Sequence, residues 1–201
     1  MTMNEKIIVR ELSRLDRAAL EKHFLALGTE DRRLRFGISL SDAGVRAYVA
    51  RIDFEHDAAF GIFDEELQLL GAAHLARDRG NAELGVSVLP GHRSLGLGGA
   101  LLARAHTHAR NWGVRTLFMH CLTENAAMMH LARKQGMEIV AETGEADAKL
   151  KLPPPDASSH FGAVFAQRVA LLDHALKTHL FNARRLAGAL TSETPLPDPE
   201  K

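Results

Sequence analysis

The stretch Leu84-Gly-Val-Ser-Val-Leu-Pro-Gly-His-Arg-Ser-Leu-Gly-Leu-Gly-Gly-Ala-Leu-Leu-Ala103 constrains the fold more than any other part of this chain. Val86 and Val88 read as the end of a strand, and the residues from Leu97 read as a helix. The tight loop between them carries Arg93, Gly96 and Gly98 in the pattern R-x-x-G-x-G. Such a loop presents several backbone N–H groups at the positive end of a helix dipole, an arrangement that holds anions and most often phosphate. Glycine lets the backbone approach the ligand and take a positive φ where the turn needs one. A nucleotide P-loop would end in Gly-Lys-Ser/Thr, and this loop ends Gly98-Gly99-Ala100. A dinucleotide loop would carry a third glycine where Leu101 stands and an acidic residue closing the next strand, which ends at His120-Cys121.

The 201 residues suffice for one good core. Lys+Arg and Asp+Glu each number 25, so the formal charge is zero, which argues against bulk binding of nucleic acid or membrane surface. No apolar run approaches the roughly 20 residues of a membrane span, and the N-terminus has no stretch of signal-peptide type. A single cysteine, Cys121, excludes an internal disulfide. The expectation is a cytoplasmic protein.

Along the chain, Lys6–Arg10 reads as a short strand. Ser13, with Asp16 at the capping-box position, opens a helix that Gly28 stops. A charged segment, Thr29–Phe36, follows as the connection to a second helix that Ser41-Asp42 open. Two hairpin strands, 57–64 and 67–77, lead to a strand over Ala82–Leu89. A helix over Leu97–Trp112, a strand over Thr116–Leu122, a helix from Asn125 and two last strands complete the pattern. Pro153-Pro-Pro155 breaks the chain. Beyond it, Phe161, Phe165, Val169, Leu172, Leu176, Leu180, Ala183, Leu186 and Leu190 keep a helical stripe. The expected organisation is a domain over residues 5–152, one or two amphipathic helices over 156–190 and a loose tail over 191–201. The stripe packs on the domain's own surface, forms a homodimer interface or closes a lid.

The glycine loop behind Val86 and Val88 resembles the acetyl-CoA pyrophosphate loop of the GNAT superfamily of N-acetyltransferases, whose signature is Gln/Arg-x-x-Gly-x-Gly/Ala. Asn125-Ala-Ala-Met-Met-His-Leu-Ala-Arg-Lys-Gln-Gly-Met137 resembles a second landmark of that family. The order of strands and helices is the family's as well. The resemblance implies an α/β fold of the α+β kind, an open mixed sheet of about six to seven strands flanked by helices. It implies acetyl-CoA as co-substrate and no metal. The backbone of Val86 and Val88 would bind the pantetheine arm, and the Val88 N–H would hold the oxyanion. Arg93, Ser94, Leu95, Gly96, Leu97, Gly98 and Gly99 would surround the pyrophosphate, and Asn125 would touch the pantetheine. Glu83, ten residues before Arg93, stands where the family often carries its catalytic base.

The chemistry needs that base. A lysine-like amine with a pKa near 10.4 is neutral in roughly one molecule in 2,500 at pH 7, a deficit of about 4.6 kcal/mol. Strand alternation puts Glu83, Gly85 and Ser87 on one face and Leu84, Val86 and Val88 on the other. One departure is plain: Ala132 stands where many members carry a tyrosine that protonates the departing sulfur, and the one tyrosine of the chain is Tyr48.

Glu30-Asp-Arg-Arg-Leu-Arg-Phe36 resembles the acceptor-side segment of bacterial protein-lysine acetyltransferases. Arg35 and Phe36 are the expected cleft-facing pair, with Arg32 and Arg33 further candidates for an acidic group on the acceptor. The acceptor is then a protein lysine or a small amine, and a non-catalytic acyl-CoA sensor is the alternative. His120, Cys121 and His130 are poor metal ligands together, because adjacent strand residues point to opposite faces.

Overall fold

The computed structural model describes residues 7–192. The sequence's expected tail beyond residue 192, and the first residues of the expected domain, lie outside the described residues. Seven strands form one mixed sheet in the order β1-β2-β3-β4-β5-β7-β6. They are β1 Arg10–Leu12, β2 Ala58–Phe63, β3 Leu69–Asp78, β4 Asn81–Val88, β5 Thr116–Leu122, β6 Glu138–Glu142 and β7 Glu145–Lys151. Every pairing is antiparallel except β4 with β5. Helices α1 Arg17–Leu25, α2 Thr29–Phe36 and α3 Asp42–Arg51 precede β2, and α4 Leu97–Asn111, α5 Ala126–Lys134 and α6 Ala157–Ser192 follow β4.

The sheet separates two cores. On one face Leu84, Val86, Leu117 and Met119 pack with Leu101, Leu102 and Ala105 of α4 and Ala132 of α5. On the other, Ala59, Leu69 and Ala72 pack with Leu20 and Phe24 of α1 and Val45 and Val49 of α3. That second layer covers the β1–β3 side of the sheet. Phe118, His120 and Leu122 of β5, and Glu145, Asp147 and Lys149 of β7, lie beyond it and are half-buried or exposed.

Two expectations are corrected, and a third is narrowed to one of the arrangements it allowed. The first strand is Arg10–Leu12, because Leu12 is the residue that enters the second core opposite Ala59. The segment Thr29–Phe36 is a helix, not a connecting loop. Glu30 and Asp31 occupy its first turn and Arg33 and Arg35 its last, the arrangement the helix dipole favours, and Gly37 ends it at φ 77°. Arg32 pins it: its guanidinium donates to the carbonyls of Leu25, Leu27 and Leu40 and pairs with Asp42. The C-terminal stripe is one helix of 36 residues. The capping box foreseen at Ser13 and Asp16 is present, though the first turn it caps is of the 3-10 type.

His23, inside the second core, links the sheet to α1. Its Nδ1–H donates to the Leu69 carbonyl and its Nε2 accepts from the Ser87 hydroxyl, each at 2.8 Å, so the ring is satisfied when neutral. Burial lowers its pKa to about 4. Burial lowers His108 of α4 to about 4 as well, with Arg104 adding to the effect. The unfolded chain protonates these rings near pH 6.5 and the folded chain near 4, so the unfolded state binds more protons in between. Stability is therefore expected to fall as pH drops from about 6.5 to 4 and then to level off, by up to about 3 kcal/mol from His23. Urea midpoints measured across that window check this, and His23→Leu should flatten the slope.

Candidate active site

The parallel pairing of β4 with β5 lasts for three residues, Asn81–Thr116 to Glu83–Phe118, and then the strands diverge. The Leu89 N–H bonds the Leu70 carbonyl at 2.9 Å, which sets the phase of the β3–β4 ladder. Alternation then directs the N–H and C=O groups of Leu84, Val86 and Val88 away from β3, toward the gap left by β5. A cleft of about 710 Å³ opens there. Val86, Ser87 and Val88 form one wall, Asn125, Met128 and Leu131 the opposite one, and Leu34 and Arg35 of α2 close one side.

The glycine loop lies at the mouth of this cleft. Gly96 has φ 83° and precedes α4 without a side-chain cap, so the N–H groups of Leu97, Gly98 and Gly99 begin a helix and have no acceptors within it. Gly98 answers a different need: a Cβ there would stand 3.1 Å from Leu131 Cδ1, where α4 and α5 approach each other. Arg93, Ser94, Gly96, Leu97, Gly98 and Gly99 all line the cleft, whereas Leu95 points outward. Arg93 reaches across to Asp31 of α2 at 2.6 Å. His92 and, one turn apart on α5, His130 and Lys134 also face the cleft. Of these, Lys134 escaped the sequence reading, because helical spacing alone did not show which face of α5 meets the gap.

Asn125 is the N-cap of α5, its Oδ1 accepting from the Met128 N–H at 3.1 Å. Its Nδ2 donates to the Leu34 carbonyl, so it also ties α2 to the cleft wall. Ala132 is fully buried under α5, and no side chain reaches the cleft from its position. Of the three arginines of α2, Arg32 is a structural clasp, Arg33 pairs with Glu30 and Glu124, and Arg35 lines the cleft. Phe36 turns away and stacks edge-on against Phe24 and Tyr48.

Arg35 lies flat over Gly85, where a Cβ would overlap its guanidinium. It belongs to a chain of hydrogen bonds with one consistent direction. Arg35 Nη2 donates to Tyr48 Oη at 3.2 Å, Tyr48 donates to His74 Nδ1 at 2.7 Å, and His74 Nε2–H donates to Asp57 at 3.1 Å. This order requires a neutral His74. Burial, and then the charge of Arg35, lower the pKa of His74 and keep it neutral. The sequence offered no signal for this chain, since its four members come from α2, α3, β3 and the residue just before β2, far apart in the sequence. Glu83 is exposed on the same sheet face, outside the cleft lining and one alternate residue from Gly85. Beyond its partner Phe118, the next residue on that face of β5 is His120, whose pKa is raised by its hydrogen bond to Asp147, with Glu145 and Glu83 adding smaller effects. Cys121 is buried on the opposite face against Met129. Among the described residues no group of three or more His, Cys, Asp or Glu has a metal-binding arrangement, and no helix is long and apolar enough to cross a membrane.

An elongated cleft with free strand groups along one wall and an anion loop at its mouth suits an extended ligand with amide groups along its length and a negatively charged end. The acetyltransferase (GNAT) family profile matches residues 25–137, and the chain belongs to that family, whose members transfer acetyl groups from acetyl-CoA. Solved structures agree in fold. The GNAT domain of S. lividans PAT superposes with a TM-score of 0.62 at 20% identity, over 72% of this chain and 89% of that one. The Salmonella typhimurium protein yncA, solved with its cofactor acetyl-CoA, gives 0.57 at 20% identity over 76% and 99%. A ribosomal-protein-alanine N-acetyltransferase from Brucella melitensis gives 0.56 at 20% over 73% and 100%.

Because Gly96 sits in the left-handed region, Gly96→Ala is expected to cost about 1–2 kcal/mol in stability. It should also weaken acetyl-CoA binding at least ten-fold by turning the loop N–H groups. Thermal melting and isothermal titration check the two effects separately.

Proposed function

We propose that the protein is an N-acetyltransferase that moves the acetyl group of acetyl-CoA to a primary amine by direct attack in a ternary complex. The observation that carries this reading is the gap between β4 and β5, which opens to both faces of the sheet. Val86 and Val88 offer backbone groups to an extended, amide-bearing arm, as a further strand would. The N–H groups of Leu97, Gly98 and Gly99, with Arg93 and Lys134, supply positive potential for the pyrophosphate end. The Val88 N–H, directed into the gap, stabilises the negative charge that develops on the thioester oxygen.

The amine approaches from the opposite face. Glu83 takes its proton, directly or through one water, as the nitrogen attacks the carbonyl carbon and the carbon–sulfur bond breaks. The thiolate leaves without a tyrosine at position 132 and takes its proton from solvent. Arg35, immobilised over Gly85 by Tyr48, His74 and Asp57, disfavours an ammonium ion beside it and so favours the nucleophilic form of the amine.

A lysine of a protein is the acceptor class that the surface supports best. On the part of that sheet face beyond α2, Glu83, Asp147 and Glu145 outnumber Lys149, giving a negative field that draws basic segments. The lone cysteine, buried and reduced, suits a cytoplasmic enzyme.

Glu83→Gln is expected to lower turnover by about 10²–10⁴-fold while acetyl-CoA affinity stays within two-fold. Thiol release with lysine peptides and small amines, run beside isothermal titration, measures both. Unchanged turnover would remove Glu83 from the base role, and binding with no turnover on any amine would favour a sensor. Tyr48→Phe frees Arg35 and should raise the acceptor KM several-fold without changing acetyl-CoA affinity. Initial-rate kinetics with each substrate varied in turn separate the two.

A further inference from the structure

Helix α6 has two opposite faces of different character. One docks on the domain. Ala170 is fully buried there, Gln167 accepts from the Glu11 N–H at 3.1 Å, Lys177 donates to the Phe63 carbonyl at 3.1 Å, and His174 packs on the Phe63 ring. The opposite face carries Phe165, Val169, Leu172, Leu176, His179, Ala183 and Leu186, at alternating intervals of four and three residues. The sequence continues the interval to Leu190. This is a heptad seam, with Val169, Leu176 and Ala183 at a and Phe165, Leu172, His179 and Leu186 at d. The docked residues Gln167, Ala170, His174 and Lys177 fall at b and f, directly behind the seam.

The seam is bare. Phe165, Leu172, Leu176 and Leu186, with Phe161 beside them, each leave 60–82% of their surface exposed. At about 150–200 Å² for a large apolar side chain, these five expose on the order of 600 Å². Val169 and Leu180 bring the stripe close to the ~800 Å² per partner of a stable interface. From Phe165 to Leu186 it runs roughly 33 Å. A soluble chain rarely keeps so long an apolar strip in water.

We propose that this strip is covered by the same strip of a second copy, in a parallel two-stranded coiled coil. A strict heptad is self-complementary under two-fold symmetry, so a second copy fits it without any further feature. The flanking charges fix the direction. Arg168 stands at g and Asp173 five residues later at e, the two positions that meet across a parallel pair; both copies then join Arg168 to Asp173 of the other. In-register pairing also sets the two His179 rings opposite each other, a polar layer of the kind that fixes register. Because the docked face lies behind the seam, pairing leaves α2, the glycine loop and the cleft on each domain uncovered.

Sedimentation equilibrium of the full chain is expected to give twice the protomer mass. Leu172→Glu combined with Leu176→Glu should return the protomer mass, with the melting temperature and circular dichroism of a folded domain, since neither side chain enters a core. Arg168→Glu alone should weaken the dimer at least ten-fold in Kd, and Asp173→Arg added to it should restore most of the loss. A monomer at millimolar concentration, or a dimer that survives the two glutamates, overturns the proposal. A dimer that Arg168→Glu weakens and Asp173→Arg fails to restore overturns the parallel arrangement.

Discussion

After the pair Glu83–Phe118, β4 and β5 cease to hydrogen-bond, although both strands continue for several residues. Backbone groups left unpaired inside a protein cost about 1–3 kcal/mol each, so a sheet opens at its centre only where something else satisfies them. Here Leu84, Val86 and Val88 point their N–H and C=O groups into the gap, and Arg93 Nε already reaches the Val88 carbonyl. The opening therefore dictates the shape of what enters: an extended arm with amide groups at strand spacing. The loop at its mouth adds the requirement of an anionic end. Two properties of the ligand follow from one interruption of a ladder.

Helix α2 is held to both walls of that gap. Asp31 meets Arg93 on the loop side, and Arg33 and the Leu34 carbonyl meet Glu124 and Asn125 on the β5 side. Arg32 meanwhile fastens the helix to the C-terminal end of α1 and to Asp42. With Asp31, Arg32, Arg33 and Leu34 all fixed this way, the orientation of Arg35 is set by the fold. The chain through Tyr48 and His74 to Asp57 then locks the guanidinium against Gly85. An anion at the loop competes with Asp31 for Arg93, so the donor site and α2 share one ion pair.

Much of this was legible in the sequence because local rules agreed with the fold. Alternation in β4 was right because one face meets α4 and the other meets His23 and Arg35. The glycines were right because Gly96 needs a positive φ and Gly98 permits close helix packing. The helix at Thr29–Phe36 was not legible from periodicity, since none of its residues is fully buried and it follows no apolar stripe. Its evidence was the charge order from Glu30 to Arg35 between Gly28 and Gly37, which is a dipole pattern and not a hydrophobic one. The hydrogen-bond chain behind Arg35 was not legible for another reason. Tyr48, His74 and Asp57 become neighbours only through the register of β2 with β3 and the docking of α3, and no spacing in the chain encodes that.

The neutral composition conceals a division of charge that the sheet creates. Arg93, Lys134 and the loop N–H groups gather at the mouth of the cleft, where a polyanionic donor would lie. Glu83, Glu145 and Asp147 gather on the face beyond β4, where a cation would be drawn. Arg35 stands between them, and its charge matters most there because the surrounding aromatic rings of Phe24, Phe36 and Tyr48 exclude water from its flank. In the proposed reaction, a cationic amine drawn by the carboxylates would meet this fixed cation as it nears the gap. Its ammonium form would become less favourable over the last few ångströms, beside Glu83, the proposed base. Under that proposal, attraction at a distance and deprotonation at contact both follow from the order of charges along one face of the sheet.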